Sequence, residues 1–338
     1  MKTLSIALCT YNGGKFLREQ LQSLANQTLL PFEIVITDDC STDNTEQIVE
    51  EFKDVLRIRF YKNPSPLRVN KNFEKAISLC KGDIIVPCDQ DDIWHPEKLS
   101  TICRYFKNNP TQLTVFSDAI LIDESGNSLG KTFWSVVRFH ALQIQQWKNG
   151  YAFDLLLHGN RTAGCMMAFR KELLEYTLPF PTHIPEMIHD GWLTIMSAMF
   201  NRLGMIEETL ISYRQHQFQQ IGTRPKEGGK VLSLKERFSR SRAEKIAPFV
   251  VKRDYFCTLK EAISEHLKNV NDEAVKQNFA KISKIIKFYE TRASLPAFRL
   301  ARIFPVLVML FKGMYHTYKD QEADLKAPYL AAIGDILE

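Results

Sequence analysis

"DIIVPCDQDDIW", Asp83 to Trp94, runs out of an apolar segment into three aspartates, Asp89, Asp91 and Asp92, within four positions. Ile84, Ile85 and Val86 have the character of a strand buried on both faces. The aspartates then fall at its carboxyl end, where each ionised carboxylate raises the cost of ionising its neighbour. A chain that places so much negative charge at the mouth of a buried strand needs either solvent or a positive partner there.

Toward the amino terminus the same strand-then-polar-end pattern repeats. "TLSIALCTYN" reads as a buried first strand rather than a leader segment, because its apolar run is short and turns at once into Thr10, Tyr11 and Asn12. Phe16, Leu17, Leu21 and Leu24 then share one helical face. "PFEIVITDDCSTDNT" gives a second strand with Asp38 and Asp39 at its end, and Ser41 or Thr42 as the expected cap of the next helix. A third unit runs from "LRIRFYKN" through "NFEKAISLCKGD" into the opening stretch. Strand and helix alternate, which predicts an α/β fold with a mostly parallel sheet flanked by helices and ligands gathered at the carboxyl ends of the strands.

Beyond Trp94, "LTVFSDAILID" and "GMIEETLISYRQH" read as strands, "GNRTAGCMMAFRKELL" as a strand entering a helix, and "HDGWLTIMSAMF" as a helix starting near Asp190. Gly and Pro collect in "GTRPKEGGK", which marks a boundary. The expected organisation is a catalytic α/β domain over residues 1–222, with halves at about 1–118 and 119–222, and a helical region over 230–338. Of the net charge of +5, Lys230 to Asp320 contributes 19 Lys and Arg against 9 Asp and Glu, so the remainder is acidic. Seven cysteines, odd in number and without a C-x-x-C pair, read as reduced thiols of a cytosolic protein.

Two acidic clusters invite chemistry. In "DDCSTD" only one hydroxyl is needed for a helix cap, which leaves Asp38 and Asp39 as spare acceptors for a nucleobase or a ribose; the plain alternative is a capping turn. In "DQDD", Asp89 and Asp91 at i and i+2 offer hard oxygen ligands to Mg²⁺ or Mn²⁺, which would relieve the mutual repulsion. The plain alternative is a solvated acidic turn ahead of the helix "HPEKLSTICRYF".

"ALCTYNGGKFLREQLQSLANQTLLPFEIVITDDCSTDNT", "CDQDDIWHPEKL", "HDGWL" and "YRQH", in that order, resemble the family 2 glycosyltransferases of the GT-A fold over about residues 1 to 222. "DQDDIW" with "HDGW" is most similar to bacterial rhamnosyltransferase-type enzymes. The resemblance implies that Thr10, Tyr11, Asn12, Asp38, Asp39, Asp89 and Gln90 border the nucleotide-sugar, and that Asp89 and Asp91, with His216 as a further candidate, hold the metal. Asp190 matches the catalytic base, and His189 and Trp192 fall where the acceptor is expected. It implies an inverting transfer from a dTDP- or UDP-linked sugar, with rhamnose as the candidate, to a glycan or lipid-linked acceptor in cell-surface polysaccharide synthesis. The sequence departs from the pattern in two places: Cys40 stands where glycine is usual, and "QFQQIG" follows His216 where a small residue and Asn are expected. A nucleotidyltransferase and a catalytically inactive nucleotide-sugar-binding subunit are the rival readings.

"LPAFRLARIFPVLVMLFKGMYHTYKD" carries an apolar run flanked by Arg299, Arg302, Lys312 and Lys319. Ile303 to Phe311 is far shorter than the roughly 20 residues a membrane span needs. It reads either as an interfacial segment on an anionic membrane surface or as a packed helical hairpin. The first reading places the protein in the cytoplasm, peripheral at the inner face of the plasma membrane. Nucleic acid is not an expected partner, since no nucleic-acid module accompanies the charge.

Overall fold

The computed structural model describes residues 2–217, 219, 240–317 and 326–337. The chain divides into two compact units, Met1–Thr182 with Glu186–Arg224 and His183–Pro185 with Pro225–Glu338. The boundary expected in "GTRPKEGGK", and Lys319 of the basic tail, lie outside the described residues.

In the first unit β1 (Leu4–Thr10), β2 (Glu33–Asp38), β3 (Ile58–Lys62) and β4 (Ile84–Cys88) pair in parallel in the order β3-β2-β1-β4. β1, β2 and β4 are buried almost throughout, which is why they read as continuous apolar runs rather than alternating ones. The helices between them are α1 (Leu17–Ala25), α2 (Thr45–Glu51) and α3 (Arg68–Leu79), and α3 packs on β1 and β2. Beyond the short β5 (Ile93–Trp94) comes α4 (Lys98–Asn108).

The sheet continues through antiparallel pairings. β8 (Met167–Arg170) joins β4 to β6 (Thr114–Ile122), β9 (Leu203–Arg214) runs parallel to β6, and β5 closes the far edge against β9. β7 (Ser128–Thr132) pairs with β6 outside this path, giving a sheet of nine strands among the described residues. The expected α/β fold of GT-A type is therefore present, with a mixed rather than purely parallel sheet. The division expected at about residue 118 falls inside β6, so no break in the backbone marks it.

Register decides what meets at the strand ends. Thr10 pairs with Asp38, and Leu8 with Cys88, so the residues that follow β1, β2 and β4 converge on one edge of the sheet. The helix His189–Met199 starts near α3, tied there by the Asn70 side chain, which accepts from the His189 backbone N–H at 2.8 Å and donates to the Met187 carbonyl at 3.2 Å.

The second unit is helical where it is described: Arg242–His266 and Glu273–Ala293 pack together, and Arg299–Phe311 packs against Ala327–Leu337. Ser241 and Asp272 cap the first two, each accepting backbone N–H groups of its first turn. No helix among the described residues is long and apolar enough to cross a membrane. All seven thiols are free.

Candidate active site

At the end of β1 the backbone is clamped by a side chain from the acidic turn. The Gln90 amide accepts from the Tyr11 N–H at 2.9 Å and donates to the Tyr11 carbonyl at 3.0 Å. Gly13 leaves room for this clamp, since a Cβ there would lie 2.4 Å from Gln90 Oε1 and push the amide aside. Asn12, at a φ of +48°, donates its N–H to Ser41 Oγ and accepts from the Thr42 N–H at 2.9 Å. Tyr11 itself remains 47% exposed, so its ring is open to a ligand.

Asp38 and Asp39 are not the spare acceptors that the sequence reading expected. The buried Asp38 carboxylate accepts from Thr10 Oγ1 at 2.7 Å, from Ser41 N at 2.8 Å and from Ser41 Oγ. Asp39 accepts from Asn63 Nδ2 at 2.8 Å and from the backbone N–H groups of Leu67 and Arg68 at 2.7 and 2.8 Å. A short acid at a strand end is the cheapest acceptor for the turn that follows it, and here the turns claim both. Ser41 and Thr42 do not cap α2 either. Asp43 does part of that work, accepting from the Thr45 N–H at 3.1 Å and from the Gly14 N–H at 2.8 Å. Cys40 keeps the left-handed backbone usual for glycine, with φ at +68°, and its thiol donates to the Asn63 carbonyl.

The acidic turn is more elaborate than its sequence suggested. Asp91 Oδ2 lies 2.8 Å from His216 Nε2, so two candidate metal ligands 125 positions apart do meet. Asp92 is wholly buried and accepts from the Arg214 N–H at 3.1 Å. Arg214 is itself 1% exposed and ties the turn together: Nε donates to the Asp91 carbonyl at 2.8 Å, Nη1 to the Glu124 carbonyl at 2.9 Å, and Nη2 pairs with Glu19. Its guanidinium also lies over the Phe16 ring, 4.8 Å from the centroid. Lys98 is a second buried cation, held 3.8 Å over the Trp94 ring and bonded to the Cys165 carbonyl. Burial pulls its pKa down to about 8, against the pull of Asp92 and Asp89.

Arg214 and Lys98 were both missed as site residues. Lys98 carries a local signal, four residues after Trp94 on the way into a helix. Arg214 lies within "YRQH", two positions before His216, but its role was hidden because its partners come from three distant segments.

Asp89 is partly buried, and burial followed by the Asp91 charge pushes its carboxyl up to about 7. Asp92 is driven well above the ordinary carboxylate range by the same two causes. Oxygen and sulfur atoms of Asp89, Asp92 and Cys165 lie within 4.8 Å of one another. Burial pushes the Cys165 thiol well above its ordinary pKa and holds it protonated, so the three together are a poor ligand set for a cation. Asp91 and His216 do fit a divalent cation: a carboxylate oxygen and an imidazole nitrogen face each other beside a desolvated second acid whose ionisation a cation would favour.

Asp190 sits in the first turn of its helix but does not cap it; the capping position is Ile188. Its carboxylate accepts the N–H groups of Gly191 and Gly164, yet burial prevails and lifts its pKa to about 7. Its charge bears directly on Asp89. His189 and Trp192, expected against an acceptor, are enclosed instead. Trp192 is fully buried, with Nε1 donating to the Thr177 carbonyl at 2.9 Å. His189 is 3% exposed, stacked on Phe73 with ring centroids 3.9 Å apart, and burial depresses its pKa to about 3, so it stays neutral.

Comparison with known proteins bears on this geometry. A family profile described as glycosyl transferase family 2 matches residues 5–177. The chain belongs to glycosyl transferase family 2. An uncharacterised glycosyltransferase of Methanocaldococcus jannaschii is 28% identical over 214 residues, covering 62% of this chain and 70% of the relative. A protein of Mycobacterium tuberculosis is 28% identical over 225 residues, and the match spans only 59% of that relative's length. Among solved structures, a Staphylococcus aureus TarS fragment in complex with UDP superposes with a TM-score of 0.51 at 16% identity, covering 99% of this chain and 80% of that one. The mannosyltransferase of Pyrobaculum calidifontis, in complex with GDP-Man and Mn²⁺, gives 0.51 at 16% identity, covering 98% and 79%. At such identities the superpositions establish the shared fold.

Proposed function

We propose that this glycosyltransferase moves a sugar from a dTDP- or UDP-linked donor to a hydroxyl of a glycan or lipid-linked acceptor, with inversion at the anomeric carbon. The observation that carries the reading is Asp190: a buried carboxyl lifted to about 7, at a helix start, within electrostatic reach of Asp89. Such a group is half ionised at neutral pH and suited to accept a proton. The acceptor oxygen attacks the anomeric carbon as its proton passes to Asp190, and the bond from that carbon to the diphosphate oxygen breaks on the opposite face. No covalent sugar forms, so one base is enough, unlike the carboxylate pair of glycosidases.

The donor end is assigned to the segment of about residues 1–118 and the acceptor end to about 119–222. Tyr11, held by Gln90, borders the nucleotide. Asp38, Asp39, Thr10 and Asn12 act one step back, fixing the loops around it. Asp91 and His216, with Asp89 beside them, would hold Mg²⁺ or Mn²⁺; the imidazole nitrogen favours Mn²⁺, the softer of the two. When bound, the cation neutralises charge that develops on the leaving diphosphate. The Mn²⁺ and GDP-Man in the Pyrobaculum structure and the UDP in the Staphylococcus structure support this donor class. Rhamnose remains the candidate sugar on the "DQDDIW" and "HDGW" wording alone.

Against a nucleotidyltransferase stands the loop after β1: the Gly13 N–H donates to Thr45 Oγ1 and the Gly14 N–H to Asp43, so these amides are committed and do not cradle a phosphate. The direct test incubates the chain with dTDP-rhamnose, UDP-glucose and UDP-N-acetylglucosamine, with Mn²⁺ and an array of acceptor glycans. Proton NMR of the product reads the anomeric configuration. An inverted glycoside is expected; retention of configuration would reject Asp190 as the sole base.

A further inference from the structure

The second unit presents an apolar surface on the side away from its own core. In the helix Arg299–Phe311, Arg302, Val306 and Met309 face inward and are buried. Leu300, Ile303, Phe304, Leu307 and Phe311 recur at i, i+3, i+4, i+7 and i+11 on the opposite face, and all are exposed, Phe304 by 76% and Phe311 by 87%. The neighbouring helix Ala327–Leu337 repeats the arrangement, burying Ala332 and exposing Tyr329, Leu330, Ile333 and Leu337. Two adjoining helices that turn large apolar side chains outward form a patch of the kind that soluble monomers rarely leave bare.

The charges at its border select the occupant. Arg299 and Lys312, both exposed, lie on the two flanks of the apolar stripe of the first helix, and Lys326 stands at the start of the second. No Asp or Glu occurs in residues 294–317 or 326–334. Among the described residues of these two helices the one acid, Asp335, is withdrawn from the surface: its carboxylate takes Arg292 Nε and Nη2 at 2.6 and 2.7 Å and the Tyr315 hydroxyl at 2.5 Å. A two-fold contact with a second copy would bring these cations toward their own images with no exposed acid on the described face of either helix to offset them. A bilayer that carries anionic headgroups complements both features at once, apolar face to acyl chains and cations to headgroups. The 13-residue helix is about 20 Å long, against about 30 Å of hydrocarbon, so it lies in the interface rather than crossing it.

We propose that the exposed faces of Arg299–Phe311 and Ala327–Leu337 form an interfacial docking surface for an anionic lipid bilayer. This proposal stands independently of the transfer chemistry. The test is sedimentation of the full chain with vesicles of phosphatidylcholine alone and of phosphatidylcholine mixed with phosphatidylglycerol. Binding to the mixed vesicles, weakened by salt and reduced about tenfold or more in Phe304→Ser/Phe311→Ser, is expected. Lys312→Glu should lower binding to the mixed vesicles without changing the melting temperature, which separates a charge effect from misfolding. Absence of binding to either vesicle would overturn the proposal. So would a dimer, measured without lipid by light scattering, that the Phe304→Ser/Phe311→Ser change dissociates, since the patch would then belong to a second copy.

Discussion

Asp190 combines two properties that usually exclude each other, deep burial and an ionisable carboxyl. With a folded pKa of about 7 against 3.8 for the free side chain, it binds a proton more readily folded than unfolded between those values. Stability from this group is therefore fully present below about pH 4 and is lost as pH rises through 7. Asp190→Asn should remove that penalty. The unfolding temperature is expected to rise more at pH 8 than at pH 5, with an upper limit of about 4 kcal/mol at about 1.4 kcal/mol per unit. The same substitution should lower kcat by about 10²- to 10⁴-fold, measured by release of nucleoside diphosphate. For the unaltered chain, log kcat/KM should climb with pH and level off above about 7. A rate that stays flat from pH 5 to 8 would place the proton acceptor elsewhere.

At the scale of elements, β1 to β4 were legible because parallel strands buried on both faces must be apolar along their whole length, and polar residues can begin only where the sheet ends. β5 was not legible: two residues, Ile93 and Trp94, become a strand only because β9 reaches them from more than 100 positions away. The roles of Asp38 and Asp39 were misread for a related reason. Their position at strand ends was visible, but whether a carboxylate is spare depends on donors that sequence spacing does not place: Thr10 of the neighbouring strand for Asp38, together with Ser41 of its own turn, and residues 63–68 for Asp39.

Arg214, at the end of β9, is the largest such surprise, because it joins the acidic turn to Glu124 and Glu19. Arg214→Met should strand the Asp91 and Glu124 carbonyls and cost about 1–3 kcal/mol in urea unfolding, with weaker Mn²⁺ binding as Asp91 loses its anchor. Gly164→Ala tests the other element of the site. Its Cβ would fall 2.4 Å from His189 Nε2, so the ring stacked on Phe73, or the helix start that carries it, must shift; a cost of about 1–3 kcal/mol and a drop in kcat larger than the change in KM are expected.

Across the whole molecule, charge follows architecture. The basic excess of Lys230 to Asp320 belongs to the helical unit, whereas residues 1–229, which hold the proposed donor site, carry 24 Lys and Arg against 26 Asp and Glu. A donor site of negative charge can receive a diphosphate only if a cation mediates, so the account rests on the pairing of Asp91 with His216. Calorimetric titration of the chain with UDP, dTDP and GDP, each with Mn²⁺ and with EDTA, and repeated on Asp91→Ala, tests it most directly. One diphosphate should bind only with Mn²⁺, and about tenfold or more weakly in the variant. Equal binding in EDTA, or none to any of the three by a folded chain with Mn²⁺ present, would contradict it.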